Sequence, residues 1–192
     1  MQFKGHFRGG MLAGAAAATV AIKTGFIPLN DANLKVLVDT PLQSPEFRQM
    51  AAVFFAGWFM ALFPDLDVAS VPQRWFVRVV FALLGLTLLA QRMDLFVVLA
   101  FLGLMPMLHH HRGWTHWKSA PWLVSLVLAL AYEYVQSQNS LFHSFSLVSV
   151  QGFLEHYWMF AVAAAMGHYT HLLLDSPQIR FFPFIRNAPD HH

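Results

Sequence analysis

Three short clusters of metal-ligating side chains interrupt the long apolar stretches of this chain. They read Phe-Pro-Asp-Leu-Asp at 63–67, His-Arg-Gly-Trp-Thr-His at 111–116 and Gly-His-Tyr-Thr-His-Leu-Leu-Leu-Asp at 167–175. Only 11% of the residues are charged and 57% are hydrophobic, and an ionisable group at membrane depth is unfavourable unless it pairs or coordinates an ion. The clusters therefore predict one composite metal site at the edge of a bilayer.

The third cluster has the spacing of a helical face. His168, His171 and Asp175 stand at i, i+3 and i+7, so a helix would present two imidazoles and a carboxylate to one or two cations. Ser176 and Pro177 should end that helix, because the residue before a proline disfavours helical geometry. The alternative is that these histidines are interfacial and reach toward water.

Asp65 and Asp67 follow directly on an apolar stretch. Carboxylates two residues apart cannot share a helical face, but in a turn both can point into one cavity. One would ligate metal while the other orients a ligating histidine or acts as a general base. The alternative is that both cap the next helix and interact with its dipole.

The second cluster combines ligands with an anion-binding group. His111 and His116 are five residues apart and do not align on one helix, so Gly113 is expected to turn the backbone until both face inward. Arg112 suits a phosphate or carboxylate, which its planar fork binds bidentately. Thr115 is expected to donate a hydrogen bond to a neighbouring carboxylate.

Composition limits the class of protein and of metal. The 192 residues suffice for one domain, residues 1–192, and the mean hydropathy of +0.49 with nineteen Phe is typical of a membrane protein. Without Cys, any metal must be held by imidazole and carboxylate, which suit Zn, Mn, Fe or Mg better than soft metals. The chain has no run of Lys or Arg, so nucleic acid is not an expected partner.

Six apolar stretches predict an all-α, polytopic membrane helix bundle. They lie at 9–27, 47–63, 75–90, 94–108, 120–136 and 153–174. The third and fourth are short, so they either span a thinned bilayer or form a re-entrant pair, 75–90 with 94–108.

The distribution of basic residues predicts the orientation of these spans. Eight lie on the side that holds both termini, namely Lys4, Arg8, Arg74, Arg78, Arg112, Lys118, Arg180 and Arg186, whereas Lys35, Arg48 and Arg92 lie on the other. Basic residues accumulate in cytoplasmic loops, so both termini are expected to be cytoplasmic. The ligand clusters fall on that same face.

The predicted ligand set is His6, Asp65, Asp67, His111, His116, His168, His171 and Asp175; the final His191 and His192 are excluded from it. Eight nitrogen and oxygen ligands exceed what one tetrahedral zinc needs and favour a two-metal site that activates water.

These motifs, in this order, resemble a bacterial inner-membrane family of metal-dependent hydrolases that includes a LexA-regulated member. The family is distantly similar to zinc-dependent phospholipase C and the nucleases related to it. The resemblance implies metal roles for all eight ligands. It also has a departure, because family members often carry a His soon after the Asp pair, where Val68 stands here.

The expected function is a membrane-bound metal-dependent hydrolase that cleaves a phosphoester, lipid-linked by preference, at the cytoplasmic face. Asp65 or Asp67 would act as base or metal bridge, and Arg112 would neutralise charge on the phosphoryl group. Zn is the expected metal and Mn the second choice, with one or two ions bound. A metal-ion or proton-coupled transporter is the alternative, and a structural membrane protein whose histidines bind nothing is the third.

Overall fold

The computed structural model describes residues 3–30, 36, 39–67, 69–107, 113–139 and 144–176. In these ranges the chain is helical and contains no strand, which confirms the predicted all-α class. Seven α-helices are described: α1 (Phe3–Lys23), α2 (Pro45–Leu62), α3 (Val71–Leu89), α4 (Met93–Leu104), α5 (Ala120–Asn139), α6 (Leu147–His156) and α7 (Trp158–Asp175).

The helices follow the predicted apolar stretches with one difference. Each of the first five stretches overlaps a single helix, but the stretch 153–174 begins inside α6 and continues as α7. Tyr157 separates the two helices with φ −104° and ψ 22°. Its ring packs against Phe153 and Phe160, with centroid distances of 4.6 and 6.0 Å, and these contacts hold the break in place.

Two helical segments are long and apolar enough to cross a membrane. They are Pro45–Asp67, with 23 residues, and Val71–Leu89, with 19, each with a mean hydropathy of 1.3. Helix α4 has 12 residues, fewer than the roughly 20 that a perpendicular span needs. The predicted number of six spans therefore stays a prediction.

Glycines let α1, α2 and α7 approach one another closely. A Cβ atom on Gly14 would lie 2.5 Å from the carbonyl oxygen of Phe54, and one on Gly167 would overlap the carbonyl oxygen of Gly57. Membrane helices commonly pack through such small residues, because close van der Waals contact favours their association in lipid, where the hydrophobic effect does not. These three helices form the centre of the bundle, and the layer between them contains buried Ala17, Val53 and further small or apolar residues.

The same packing brings the ligand-bearing segments to one end of the bundle. His6 lies in the first turns of α1, and α7 ends at Asp175, directly before Ser176, as predicted. After α2 the chain enters the 3₁₀ turn Phe63–Asp67, which contains both carboxylates. Ser70 then caps α3 by accepting from the Gln73 amide at 3.1 Å, and its hydroxyl donates to the Asp65 carbonyl at 2.7 Å.

Candidate metal centre

The His6 ring lies between two carboxylates at the centre of this site. Its Nδ1 is 3.1 Å from Oδ2 of Asp65, and its Nε2 is 3.1 Å from Oδ1 of Asp175. Burial alone would lower the pKa of His6, but the hydrogen bonds to Asp175 and Asp65, with the charges of both carboxylates, raise it to about 9. Without a cation, His6 is therefore an imidazolium bridging two anions.

His171 presents one nitrogen to the same place. Its Nδ1 lies 2.8 Å from the carbonyl oxygen of Ala61, which can only accept, so this nitrogen carries the proton in the neutral ring. The lone pair is then on Nε2, which is buried and has no hydrogen-bond partner among the described residues. Oδ2 of Asp175 lies 3.5 Å from this Nε2, too far for a strong hydrogen bond.

His6, His171 and Asp175 therefore surround a common point. One ligand atom of each lies within 4.8 Å of those of the other two, and the two imidazole rings are 4.1 Å apart. Two histidines and a carboxylate are a recurrent ligand set for Zn²⁺ and other first-row divalent ions.

The groups behind the two histidines resemble the outer sphere of a metal site. Ligating histidines usually donate their second ring nitrogen to a carboxylate or a backbone carbonyl, which fixes the tautomer and the orientation of the ring. Here Asp65 lies behind Nδ1 of His6, and the Ala61 carbonyl lies behind Nδ1 of His171. Both Nε2 atoms are thus oriented toward Asp175. The residues present fit a divalent cation.

A second group of ligand-type atoms adjoins the first. Asp67 Oδ2 accepts from the Thr115 hydroxyl at 2.8 Å, as expected for Thr115, and from the Gly113 amide at 3.4 Å. The Thr115 oxygen lies 3.3 Å from Nδ1 of His116 and can accept from it, which leaves the lone pair on the His116 Nε2. Burial lowers the pKa of His116 and favours this neutral form.

Several buried atoms at this end of the bundle have no hydrogen-bond partner in the part of the chain that the structure describes. They include Oδ1 of Asp65, Oδ1 of Asp67, Nε2 of His116 and Nε2 of His171. Nearly all buried polar groups in folded proteins are paired, and an unpaired carboxylate oxygen is especially unfavourable. All four are metal-ligand atoms, so bound cations would satisfy them.

His168 occupies a different position from the other predicted ligands. Its Nε2 lies 2.9 Å from the carbonyl oxygen of Trp117 and donates to it, so this ring ties α7 to the loop before α5. Its Nδ1 is buried without a partner among the described residues, but the three-ligand group does not include it. Of the three residues predicted to share a helical face, only His171 and Asp175 therefore join His6 in the three-ligand group.

Not every predicted site residue falls within the described ranges. His111 and Arg112 lie outside them, as do His191 and His192. The Ala61 carbonyl could not be predicted from the sequence, since a backbone oxygen carries no sequence signal. Ser176 was predicted only as the end of the helix, but its hydroxyl is buried directly after Asp175 without a partner among the described residues.

Comparison of this chain with protein-family models, with curated proteins and with solved structures gives no match to any of the three.

Proposed function

We propose that this protein is a membrane-bound, metal-dependent hydrolase that cleaves a phosphoester, with a lipid-linked ester as the preferred substrate class. The observation that carries the proposal is the convergence of His6, His171 and Asp175 at one end of the bundle. Each of the two histidines directs Nε2 toward the carboxylate, while its Nδ1 faces an outer acceptor.

The residues have distinct roles in this proposal. His6, His171 and Asp175 would hold the first cation, zinc by preference and manganese as the second choice, and Asp65 would orient His6. Such a cation lowers the pKa of a water molecule and so supplies a nucleophile at neutral pH. Asp67 is the proposed base, because its Oδ1 is buried and unengaged by any described residue while Thr115 and Gly113 hold its other oxygen.

A second cation has ligands in the adjoining group. Asp65 Oδ1 and His116 Nε2 are the atoms proposed to contribute, while Asp67 Oδ1 stays available as the base, and His116 interacts electrostatically with both carboxylates. His111 and His168 complete the proposed ligand set from the sequence, and Arg112 is proposed to neutralise charge on the transferred phosphoryl group. The second ion therefore depends on His116 and on His111, which lies outside the described residues.

A bilayer is the proposed environment. Helix α3 supports it, since Trp75, Phe81 and Leu89 are 62%, 70% and 83% exposed along its length. Soluble proteins rarely expose contiguous apolar surface of this kind. We propose six spans in all, of which Pro45–Asp67 and Val71–Leu89 are the candidates by length and composition. The proposed membrane is the inner membrane of the cell. Both termini and the metal site would lie on its cytoplasmic side, in accordance with the distribution of Lys and Arg.

Transport of a metal ion or of protons is the competing proposal. A path through the membrane would need polar groups along its depth. The buried cluster between α1, α2 and α7 contains Ala17, Ala21, Val53, Met159 and Ala163 with Ile27, all of them apolar. This composition favours a site confined to one end over a conducting path.

Hydrolysis by the metal-loaded protein is the direct test. The full chain in nanodiscs, loaded with zinc or manganese, would be incubated with phosphomonoesters, phosphodiesters and phospholipids, and product release would be followed. We expect turnover of at least one ester, a loss of about 100-fold or more in Asp67→Asn with its metal retained, and unchanged turnover in Glu155→Gln, whose carboxylate is exposed and bonded to Gln151. Metal-loaded protein that cleaves none of these esters, or that moves metal across liposomes instead, would contradict the proposal.

A further inference from the structure

A cleft of about 560 Å³ opens at the end of the bundle opposite the metal centre. Three helix termini form it: the residues after α1, the first turns of α2, and the break between α6 and α7. Its walls combine the rings of Phe26, Tyr157 and Phe160 with the polar side chains of Arg48 and Gln49. The cleft shares α1, α2 and α7 with the metal centre, but none of its lining residues belongs to that site.

The aromatic wall of the cleft is built by a tight turn. Gly25 has φ +74°, a conformation that favours glycine, and the Ile27 amide returns to the Ala21 carbonyl at 3.0 Å. This turn folds Phe26 back over α7, where its ring contacts Trp158 and Phe160 edge-on at centroid distances of 6.1 and 6.0 Å. The wall is therefore fixed by packing, and it is apolar.

Arg48 supplies the positive charge of the cleft. It is the one permanently charged residue in the lining, and the guanidinium makes no ion pair with any described residue. The carboxylates that lie nearest to the lining residues in the sequence are Glu46 and Glu155, and neither pairs with Arg48. Glu46 accepts from the Ser44 hydroxyl at 2.7 Å, and Glu155 accepts from the Gln151 amide at 2.7 Å. His156 also lines the cleft, and its imidazole can donate a hydrogen bond to an anion bound there.

We propose that this cleft binds the phosphate headgroup of an anionic membrane lipid. Arg48 would hold the phosphate in a bidentate manner, with Gln49 and His156 as further donors, and the aromatic wall would contact the glycerol and the first acyl carbons. Exposed Tyr157 and Trp158, each 40% accessible, border the cleft in the manner of residues at a membrane interface.

A lipid fits this cleft better than a soluble anion does. More of its accessible wall is apolar than polar, and a small hydrated anion would leave this apolar wall in contact with water. The inference relies on the proposed membrane location and is independent of the metal and of catalysis.

Lipid binding by the full chain tests the inference. Delipidated protein in detergent would be titrated with phosphatidylglycerol, phosphatidylcholine or inorganic phosphate, with thermal midpoint and native mass spectrometry as readouts. We expect phosphatidylglycerol to bind and stabilise more than phosphatidylcholine, and phosphate alone to do neither. Arg48→Gln should weaken the binding of phosphatidylglycerol about fivefold, and Arg48→Lys should retain most of it.

Arg74→Gln is the matched control, because Arg74 is also an exposed arginine in the first turn of a helix but lies outside the cleft. Zinc content, measured in every variant, separates this inference from the proposed function, since a folded Arg48→Gln protein keeps its metal. Equal binding of both lipids, an equal effect of phosphate alone, or an unchanged affinity in Arg48→Gln would each overturn the inference.

Discussion

Nδ1 of His6 lies 3.1 Å from Oδ2 of Asp65 in a buried contact, although 59 positions separate these residues in the sequence. The contact joins the first helix to the turn after the second. It also leaves Nε2 of His6 facing Asp175 at the end of the last described helix. One imidazole thus connects three remote segments, and the candidate metal centre depends on its orientation.

Asp65→Asn should weaken metal binding without abolishing it. The substitution keeps the size of the side chain but removes the charge that orients His6 and makes it a better ligand, and loss of such an outer partner typically lowers metal affinity about 10–100-fold. Competition with a chromogenic zinc chelator measures this change. Glu155→Gln, which alters an exposed carboxylate bonded to Gln151, is the control and should leave the affinity unchanged.

The stability of the metal-free protein should fall as the pH rises above neutrality. The pKa of His6 is raised from 6.5 to about 9, so the folded state binds a proton that the unfolded chain loses. This contribution to the free energy of unfolding is complete below pH 6.5 and disappears as the pH passes 9. Thermal midpoints measured in detergent with EDTA at pH 6, 7.5 and 9.5 test the prediction. A similar profile in His6→Gln would contradict it.

Thr115→Val should destabilise the loop that carries His116. The hydroxyl donates to Asp67 at 2.8 Å, and its loss leaves a buried carboxylate oxygen with one long contact from the Gly113 amide. We expect a loss of about 1–3 kcal/mol in the free energy of unfolding. Thr170→Val removes a hydroxyl that bonds only within its own helix, to the Met166 carbonyl, and should have little effect by the same denaturation assay.

Gly167→Ala should disrupt the packing of α2 against α7. A Cβ atom there overlaps the Gly57 carbonyl oxygen, and backbone atoms cannot move away as a flexible side chain would. The expected destabilisation is about 1–3 kcal/mol or more, with loss of metal because His171 moves with its helix. Gly152→Ala meets nothing within 4 Å and should stabilise α6 by about 0.5–1 kcal/mol. Equal effects of the two substitutions on the thermal midpoint would contradict this description of the bundle.

Much of the fold could be predicted from hydrophobic periodicity and from the residues that end helices. The end of α7 at Asp175 follows from Ser176 and Pro177, whereas the two carboxylates after α2 left a turn and the start of the next helix equally open, and the structure has the turn Phe63–Asp67. The break at Tyr157 could not be predicted in this way. It rests on contacts of one aromatic ring within a stretch whose apolar composition is continuous.

The candidate site was only partly predictable for a similar reason. Spacing places His171 and Asp175 on one face of the helix, because residues i and i+4 share a helical face. Spacing could not separate His168 from them, since its hydrogen bond to the Trp117 carbonyl depends on a remote loop. The pairing of His6 with Asp65 depends on the close approach of α1 and α2 at Gly10 and Gly14. The sequence does not determine which residues of these two helices lie opposite each other.

The metal content of the purified protein tests the central claim most directly. Elemental analysis of the detergent-purified full chain would compare the wild type with His171→Ala and with His156→Ala, a histidine at the opposite end of the bundle. We expect one or two equivalents of zinc or manganese in the wild type and in His156→Ala, and a loss of at least one equivalent in His171→Ala. Wild-type protein that remains folded but binds no divalent metal, even after reconstitution with zinc and manganese, would rule out the metal centre.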